Sequence, residues 1–190
     1  MPAIRSGSLF YCSNILQSQD GFADICNKLI AMAYRIGFGV DFHQLAEGRV
    51  FMIGGIQVPH HRGATGHSDA DVLLHAICDA MLGAACLGDI GVHFPDTDTN
   101  FKNIDSKILL KKTLDLIQKE NYQVVNIDST LCLQEPKIKP YIQQMQKAIS
   151  EILATPEKNI SIKATTTEQM GFVGRQEGVI AYATVLLETI

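Results

Sequence analysis

Asp41 and His43 stand two residues apart where an alternating apolar segment runs out, so on a strand both side chains project from the same side of the chain. His75 is one of few polar groups in a run filled by Val72, Leu73, Leu74, Ile77 and Leu82. One carboxylate and two imidazoles with a fourth position open make a candidate catalytic zinc set. The plainer alternative is a buried histidine satisfied by Asp71 or Asp79, one helical turn away on either side.

Three further groups have the composition of phosphate or cation sites. His67-Ser68-Asp69-Ala70-Asp71 stands at the expected start of a helix, where free N–H groups and the dipole favour an anion. Ser68 and Asp69 suit an ordinary N-cap there, and His67, just outside it, is within reach of a phosphate. Gly88-Asp89-Ile90-Gly91, followed by Phe94-Pro95-Asp96-Thr97-Asp98, is explained adequately by turn chemistry alone. Thr165, Thr166, Thr167 and Glu168 put three hydroxyls and a carboxylate at a strand end, which suits Mg²⁺ and phosphate oxygens.

Periodicity outlines the elements that carry these groups. Tyr34, Ile36, Phe38 and Val40 alternate with Arg35, Gly37 and Gly39, which predicts a strand ending at Asp41. Val50 to Val58, broken by Gly54-Gly55, predicts a hairpin, and Pro59 to Gly66 a loop. Ser68, Asp69 and Asp71 open a buried helix running to Leu87, with acids in its first turn and Gly88 as its stop. Asp105 or Ser106 caps a second, surface helix to about Glu120. Tyr122 to Leu133 reads as a strand with one wetter face, and Pro136 and Pro140 bracket a loop before a third helix, Tyr141 to Leu153. Ile160 to Thr165 and Val179 to Glu188 read as two more strands. This order predicts an α/β (α+β) two-layer sandwich, a mixed sheet with helices on one face. The other face, bearing residues of Val179 to Leu187, would need cover.

The composition suits one folded domain: 190 residues, 46% hydrophobic and 19% charged. Sixteen basic and twenty acidic side chains leave a net charge of −4 with no Lys/Arg run, which argues against nucleic acid as a partner. No apolar stretch reaches the length of a membrane span. Five cysteines without a C-x-x-C pair fit neither a disulfide framework nor a zinc ribbon, and point to a reducing, cytoplasmic setting. Cys78 and Cys86 fall on the expected first helix, about 12 Å apart along its axis, and read as core thiols. Residues 1–31 keep no period and are expected to form an N-terminal extension outside a catalytic domain of residues 32–190. They fit a secretory signal poorly and a plastid-type targeting segment only weakly.

Taken together and in order, Ile36-Gly37-Phe38-Gly39-Val40-Asp41-Phe42-His43, His67-Ser68-Asp69-Ala70-Asp71 to His75, Gly88-Asp89-Ile90-Gly91, Phe94-Pro95-Asp96-Thr97-Asp98, Pro136-Lys137 and Ala164-Thr165-Thr166-Thr167-Glu168 closely resemble the 2-C-methyl-D-erythritol 2,4-cyclodiphosphate synthase family of the non-mevalonate isoprenoid pathway. The resemblance runs from about Tyr34 to the C-terminus. It implies a homotrimer with active sites between subunits. The implied reaction converts 4-diphosphocytidyl-2-C-methyl-D-erythritol 2-phosphate to the 2,4-cyclodiphosphate with release of CMP.

Residue by residue, the resemblance implies that Asp41, His43 and His75 bind one Zn²⁺ per subunit, and that Glu168 holds a second divalent cation, Mg²⁺ or Mn²⁺, with the substrate. His67 and Thr166 match the pair that orients the reacting phosphates; Ser68 stands beside them. Asp89, Ile90 and Gly91, with Phe94, Pro95, Asp96, Thr97 and Asp98, match the pocket for the methylerythritol part. Leu133, Gln134, Glu135, Pro136, Lys137, Ile138 and Lys139, with Thr165, Thr166, Thr167 and Glu168, match the cytidine and diphosphate walls. Phe172 and Arg175 match residues near an inner cavity on the trimer axis. Phe42 and His93 depart from the commonest family pattern, and neither is a metal position. Two other readings compete: a zinc-dependent phosphate-ester hydrolase, and a non-catalytic trimer binding an isoprenoid diphosphate. The presence of Asp41, His43, His75 and Glu168 together speaks against the second.

Overall fold

Gly37 and Gly39 alternate with apolar residues along the first strand, and that alternation decides which side of it meets the helices. The computed structural model describes residues 33–190, so the expectation for residues 1–31, with Cys12 and Cys26, lies outside them. In β1 (Tyr34–Glu47) the apolar side faces outward, with Ile36 72% and Phe38 63% exposed. The inward side is nearly bare backbone. A Cβ on Gly37 would stand 1.9 Å from the carbonyl oxygen of Ala80, and one on Gly39 2.1 Å from that of Ala76. The helix α1 (Val72–Ala84) therefore lies directly on the strand's main chain.

β1 runs six residues past the predicted end at Asp41, so Asp41 and His43 lie within the strand and not at its tip. The extension is stabilised by a strand where a loop was expected. The segment β4 (Arg62–Thr65) pairs antiparallel with it, from Gln44 opposite Thr65 to Glu47 opposite Arg62. Its four residues are too few and too polar to show a period. The hairpin was legible: β2 (Met52–Ile53) and β3 (Ile56–Gln57) turn at Gly54-Gly55, both with positive φ.

The remaining strands are β5 (Tyr122–Cys132), β6 (Ile160–Thr165) and β7 (Gly178–Thr189), giving a sheet of order β4-β1-β7-β5-β6. β7 lies antiparallel along β1 from Glu188 opposite Tyr34 to Gly178 opposite Gln44, while β5 and β6 are parallel, so the sheet is mixed as predicted. Val179, Ala181, Ala183, Val185 and Leu187 of β7 are buried beneath the helices. Tyr182, Thr184 and Leu186 stay half-exposed on the other face. That open face is the one predicted to need cover. In β5 the buried positions include Val124 and Ile127, so the strict alternation expected there slips by one residue.

The helix α3 (Ser106–Lys119) buries Leu109, Leu110, Leu114 and Ile117 and exposes Lys111, Lys112 and Lys119. Asp105 caps it by accepting from the Lys107 amide at 2.8 Å. α4 (Ile142–Leu153) buries Met145, Ile149 and Leu153, and a short 3₁₀ turn, Lys139–Tyr141, leads into it. Two one-turn helices were not anticipated: α2 (Ile90–His93) and α5 (Gly171–Gly174).

α1 begins at Val72 and not at Ser68, because fully buried Asp71 is its N-cap. The Asp71 carboxylate accepts from the amides of Leu73 and Leu74 at 3.1 and 3.0 Å, and from those of Gly54 and Gly55 at 2.9 and 2.7 Å. One side chain thus fastens the hairpin to the helix start. It also occupies the amides expected to bind an anion. At the other end the helix stops before the predicted Leu87, where Cys86 and Gly88 adopt positive φ. Cys86 is exposed and accepts from Arg35 Nη1 at 3.2 Å, so it is no core thiol. Cys78 is one; burial pushes its thiol up to about 12. Among the described residues no helix is long and apolar enough to cross a membrane.

The glycine contact generates a test. Gly39→Ala is expected to cost at least about 3 kcal/mol, the upper end for overpacking, because backbone atoms cannot move aside. For a chain of this size that lowers the melting temperature by about 10 °C, which thermal denaturation followed by circular dichroism would measure. An unchanged melting temperature would mean that the helix does not rest on the strand as described.

Candidate active site

The inward face of β1 carries Asp41 and His43 just beyond the two glycines, and α1 presents His75, the residue directly before Ala76. The three donor atoms form a small triangle. Asp41 Oδ2 lies 3.1 Å from His43 Nε2 and 3.0 Å from His75 Nδ1, and the two imidazole nitrogens are 3.1 Å apart. All three side chains are half-buried. Ligands at about 2.0–2.1 Å in a tetrahedron stand about 3.3 Å from one another, so this donor set fits a divalent cation with a fourth position left for another ligand.

The local charges agree. Burial raises the Asp41 carboxyl, but hydrogen bonds and charge from His43 and His75 outweigh it and hold the group well below the usual carboxylate range. Burial lowers His75, yet the hydrogen bond and charge of Asp41 outweigh it and raise the imidazole above its ordinary value. The site attracts positive charge. The plainer reading of His75 fails, because Asp71 is spent on the helix cap and Asp79 accepts from the Ile90 amide at 2.8 Å. His75 instead bonds through Nε2 to Ser106 Oγ at 3.0 Å and Ser68 Oγ at 3.1 Å.

The triangle forms part of the wall of a cavity of about 350 Å³. His67, Ser68, Ile90, Gly91, Phe94 and Asp96 line it. Phe101, Ile104 and Leu109 line it as well, and sequence reasoning missed them. Their only signal was apolar side chains around the start of α3. His67 Nε2 stands 3.9 Å from Asp96 Oδ2, both exposed. Asp89 is turned to its own helix, where it caps α2 through the Val92 amide at 3.0 Å. Neither it nor Pro95, Thr97 or Asp98 lines the cavity. His93 bonds back to the Leu87 carbonyl at 2.8 Å.

The other predicted residues gather elsewhere in the chain. Leu133, Gln134, Pro136, Lys137, Ile138, Lys139, Thr165 and Thr166 line a second cavity of about 170 Å³. Glu135, next to the cis peptide of Pro136, is not among its lining residues. Thr166 Oγ1 donates to Glu168 Oε1 at 2.7 Å, and Thr167 Oγ1 to the Met170 carbonyl at 2.7 Å. Glu168 lines neither cavity. Phe172 packs near Phe42, their ring centroids 6.5 Å apart, and Arg175 forks onto Glu177 at 2.9 and 3.0 Å.

These features define a class: a two-layer α/β protein with a candidate divalent-cation centre beside an open cavity. The chain belongs to the YgbB family, whose model matches residues 34–188. A Bacteroides thetaiotaomicron protein named 2-C-methyl-D-erythritol 2,4-cyclodiphosphate synthase is 58% identical over 157 residues, 83% of this chain and 99% of that one. Among solved structures, the bifunctional IspDF of Campylobacter jejuni superposes with a TM-score of 0.81 at 42% identity, over 84% of this chain and 43% of that one. The IspF of Plasmodium falciparum in complex with CDP superposes with a TM-score of 0.72 at 33% identity, over 83% and 97%. The chain is thus an enzyme of the cyclodiphosphate synthase family of isoprenoid biosynthesis.

Loss of one imidazole leaves too few donors for tight binding. The wild-type chain is expected to bind one Zn²⁺, and His75→Ala none at equimolar metal, measured by metal analysis after gel filtration. Stoichiometric zinc in the variant would remove His75 from the ligand set.

Proposed function

We propose that the chain converts 4-diphosphocytidyl-2-C-methyl-D-erythritol 2-phosphate to 2-C-methyl-D-erythritol 2,4-cyclodiphosphate with release of CMP. The observation that carries this is the Asp41–His43–His75 triangle beside a cavity, in a chain whose relatives bear that name. The 2-phosphate is already an anion, so its attack on the β-phosphorus needs no strong base. The barrier is the approach of two negative groups, which positive charge and in-line positioning lower.

Asp41, His43 and His75 would hold a Zn²⁺ that offsets the phosphate charge. Glu168, fastened by Thr166, would hold the second cation, Mg²⁺ or Mn²⁺, which would offset charge on the substrate's diphosphate. His67 and Thr166 would orient the reacting phosphates from opposite sides. Ile90, Gly91, Phe94 and Asp96 would enclose the methylerythritol part. The cavity of Leu133 to Lys139 and Thr165 to Thr166 would take the cytidine diphosphate, in keeping with the CDP held by the Plasmodium falciparum relative. Asp89 would act through the α2 start it caps.

The placement of His67 and Thr166 in separate cavities supports a site completed between subunits. The open sheet face supports the same reading: Tyr34, Ile36, Phe38 and Phe42 are exposed on one strand. A homotrimer would bury them and place Phe172 and Arg175 near its axis. Residues 32–190 would form the catalytic domain, consistent with the matched span. Unpaired Cys78, Cys86 and Cys132 suit a reducing, cytoplasmic setting.

Purified protein given the cytidylyl substrate with Mg²⁺ and Zn²⁺ is expected to release CMP and cyclic diphosphate in equal amounts. Inorganic phosphate in their place would favour the hydrolase reading. Glu168→Gln should cut turnover about 100-fold while Zn²⁺ stays bound, and full activity at ordinary Mg²⁺ would make Glu168 merely structural. Light scattering of a chain beginning at Met32 should report three subunits and Phe38→Asp a monomer without activity; a fully active monomer would end the shared-site reading.

A further inference from the structure

The metal triangle accounts for only one nitrogen of His75. Its Nδ1 faces Asp41 and His43, and its Nε2 lies 3.0 Å from Ser106 Oγ. A neutral imidazole carries one proton, so Nδ1 can ligate a cation only if that proton sits on Nε2. The deciding group is therefore whatever hydroxyl or carboxylate faces Nε2.

Ser106 is fully buried at the first turn of α3, and its hydroxyl has a second neighbour. Asp69 Oδ1 stands 2.5 Å from Ser106 Oγ, and Asp69 Oδ2 accepts from the Ser106 amide at 3.1 Å. A serine hydroxyl has one proton, and the carboxylate only accepts. The hydroxyl proton therefore goes to Asp69, which leaves Ser106 Oγ an acceptor toward His75. We propose that Asp69 and Ser106 are positioning residues that fix His75 with its proton on Nε2 and Nδ1 free for the cation. The inference rests on the metal-centre reading above and adds a carboxylate–hydroxyl–imidazole chain to it.

The surrounding backbone holds this chain in place. The Asp69 amide donates to the Ile104 carbonyl at 3.0 Å, and the Asn103 amide to the His67 carbonyl at 2.6 Å, both next to the Asp69–Ser106 pair. Two segments more than thirty residues apart are thus pinned where the pair forms. Ser68 Oγ also approaches His75 Nε2, at 3.1 Å, while accepting from the Ala70 amide at 3.1 Å. Its own proton can go to Ser106 Oγ, 3.5 Å away, which leaves it a second acceptor toward Nε2; if it donated to Nε2 instead, the tautomer would be the opposite one. Only the second of these roles for Ser68 opposes that of Ser106, and an experiment can separate the two.

The test uses the full chain and Zn²⁺ as probe, with affinity read by competition against a chromophoric chelator and the His75 tautomer by ¹⁵N NMR of the zinc-loaded protein. Wild type should show the proton on Nε2. Ser106→Ala and Asp69→Asn should each lower zinc affinity about 10–100-fold, the range for losing a ligand's supporting partner. The double variant should be little worse than either single one, because both break one chain. Ser106→Thr should retain most of the affinity, and Ser68→Ala should leave the tautomer unchanged. Melting temperatures of the metal-free variants control for folding, and if Ser106→Ala does not fold, Asp69→Asn carries the same comparison. A proton on Nδ1, or wild-type zinc affinity in folded Ser106→Ala or Asp69→Asn, would overturn the relay alone. Failure of the wild type to bind zinc would overturn the metal centre and the relay with it.

Discussion

Everything at the centre depends on the contact between the bare backbone of β1 and the alanine side of α1. Two residues along a strand advance about 6.6 Å, and four along a helix about 6.0 Å. The two elements therefore stay in step over a short distance: Gly37 meets Ala80, and Gly39 meets Ala76. Just past that contact, Asp41 and His43 on the strand meet His75, the residue next to Ala76 on the helix. A side chain at either glycine would lift the helix away and pull the triangle apart. The candidate cation site is thus a consequence of packing and is set by two missing side chains.

The electrostatics of the cavity follow from what Asp71 does. A helix N-terminus beside a cavity is ordinarily a site for anions. Here the first free amides of α1 are taken by a buried carboxylate, so that source of positive potential is gone. Asp41 and Asp96 line the same cavity and add negative charge. A phosphate compound entering it would, on the proposed reading, rely on cations held there and on His67. This explains why a donor set for a divalent ion, and no basic cluster, sits at its wall. It also separates two jobs that the sequence places side by side, since Asp71 holds the fold while Asp69, two residues earlier, bonds to Ser106, the neighbour of the His75 Nε2.

Much of this was legible because it is local. The two-residue spacing of Asp41 and His43, the polar His75 within an apolar run, the Asp105 cap and the Gly54-Gly55 turn each depend on residues close in sequence or on a strong period. The losses are the long-range parts. β4 exists because β1 offers it a partner, and nothing within His60-His61-Arg62-Gly63 announces that. The start of α1 was placed at Ser68 because cap chemistry alone does not choose among Ser68, Asp69 and Asp71; four amides from two elements choose Asp71. Ser106 passed for a helix-start residue, since its partners Asp69 and His75 lie more than thirty positions away. Cys86 was misplaced for the same reason as the end of α1: the chain turns at positive φ on residues that are not glycine.

The alternation in β1 also ties the site to the proposed assembly. With glycine on the inward side, the strand draws little apolar burial from its own domain there beyond backbone contact. Its large side chains, Ile36 and Phe38, all point the other way and remain in water in the single chain. An apolar row of that kind is costly in isolation and favourable once covered by another copy. The strand that carries two of the three metal donors would then be held from both sides, by its helix through bare backbone and by a neighbouring subunit through its aromatic face. The cavity beside the triangle does not include this chain's own Thr166 and Glu168, and in the proposed assembly a neighbouring chain would supply them. On this account the same sequence pattern, glycine inward and aromatic outward, sets both the position of the cation and the need for a neighbour to complete the site.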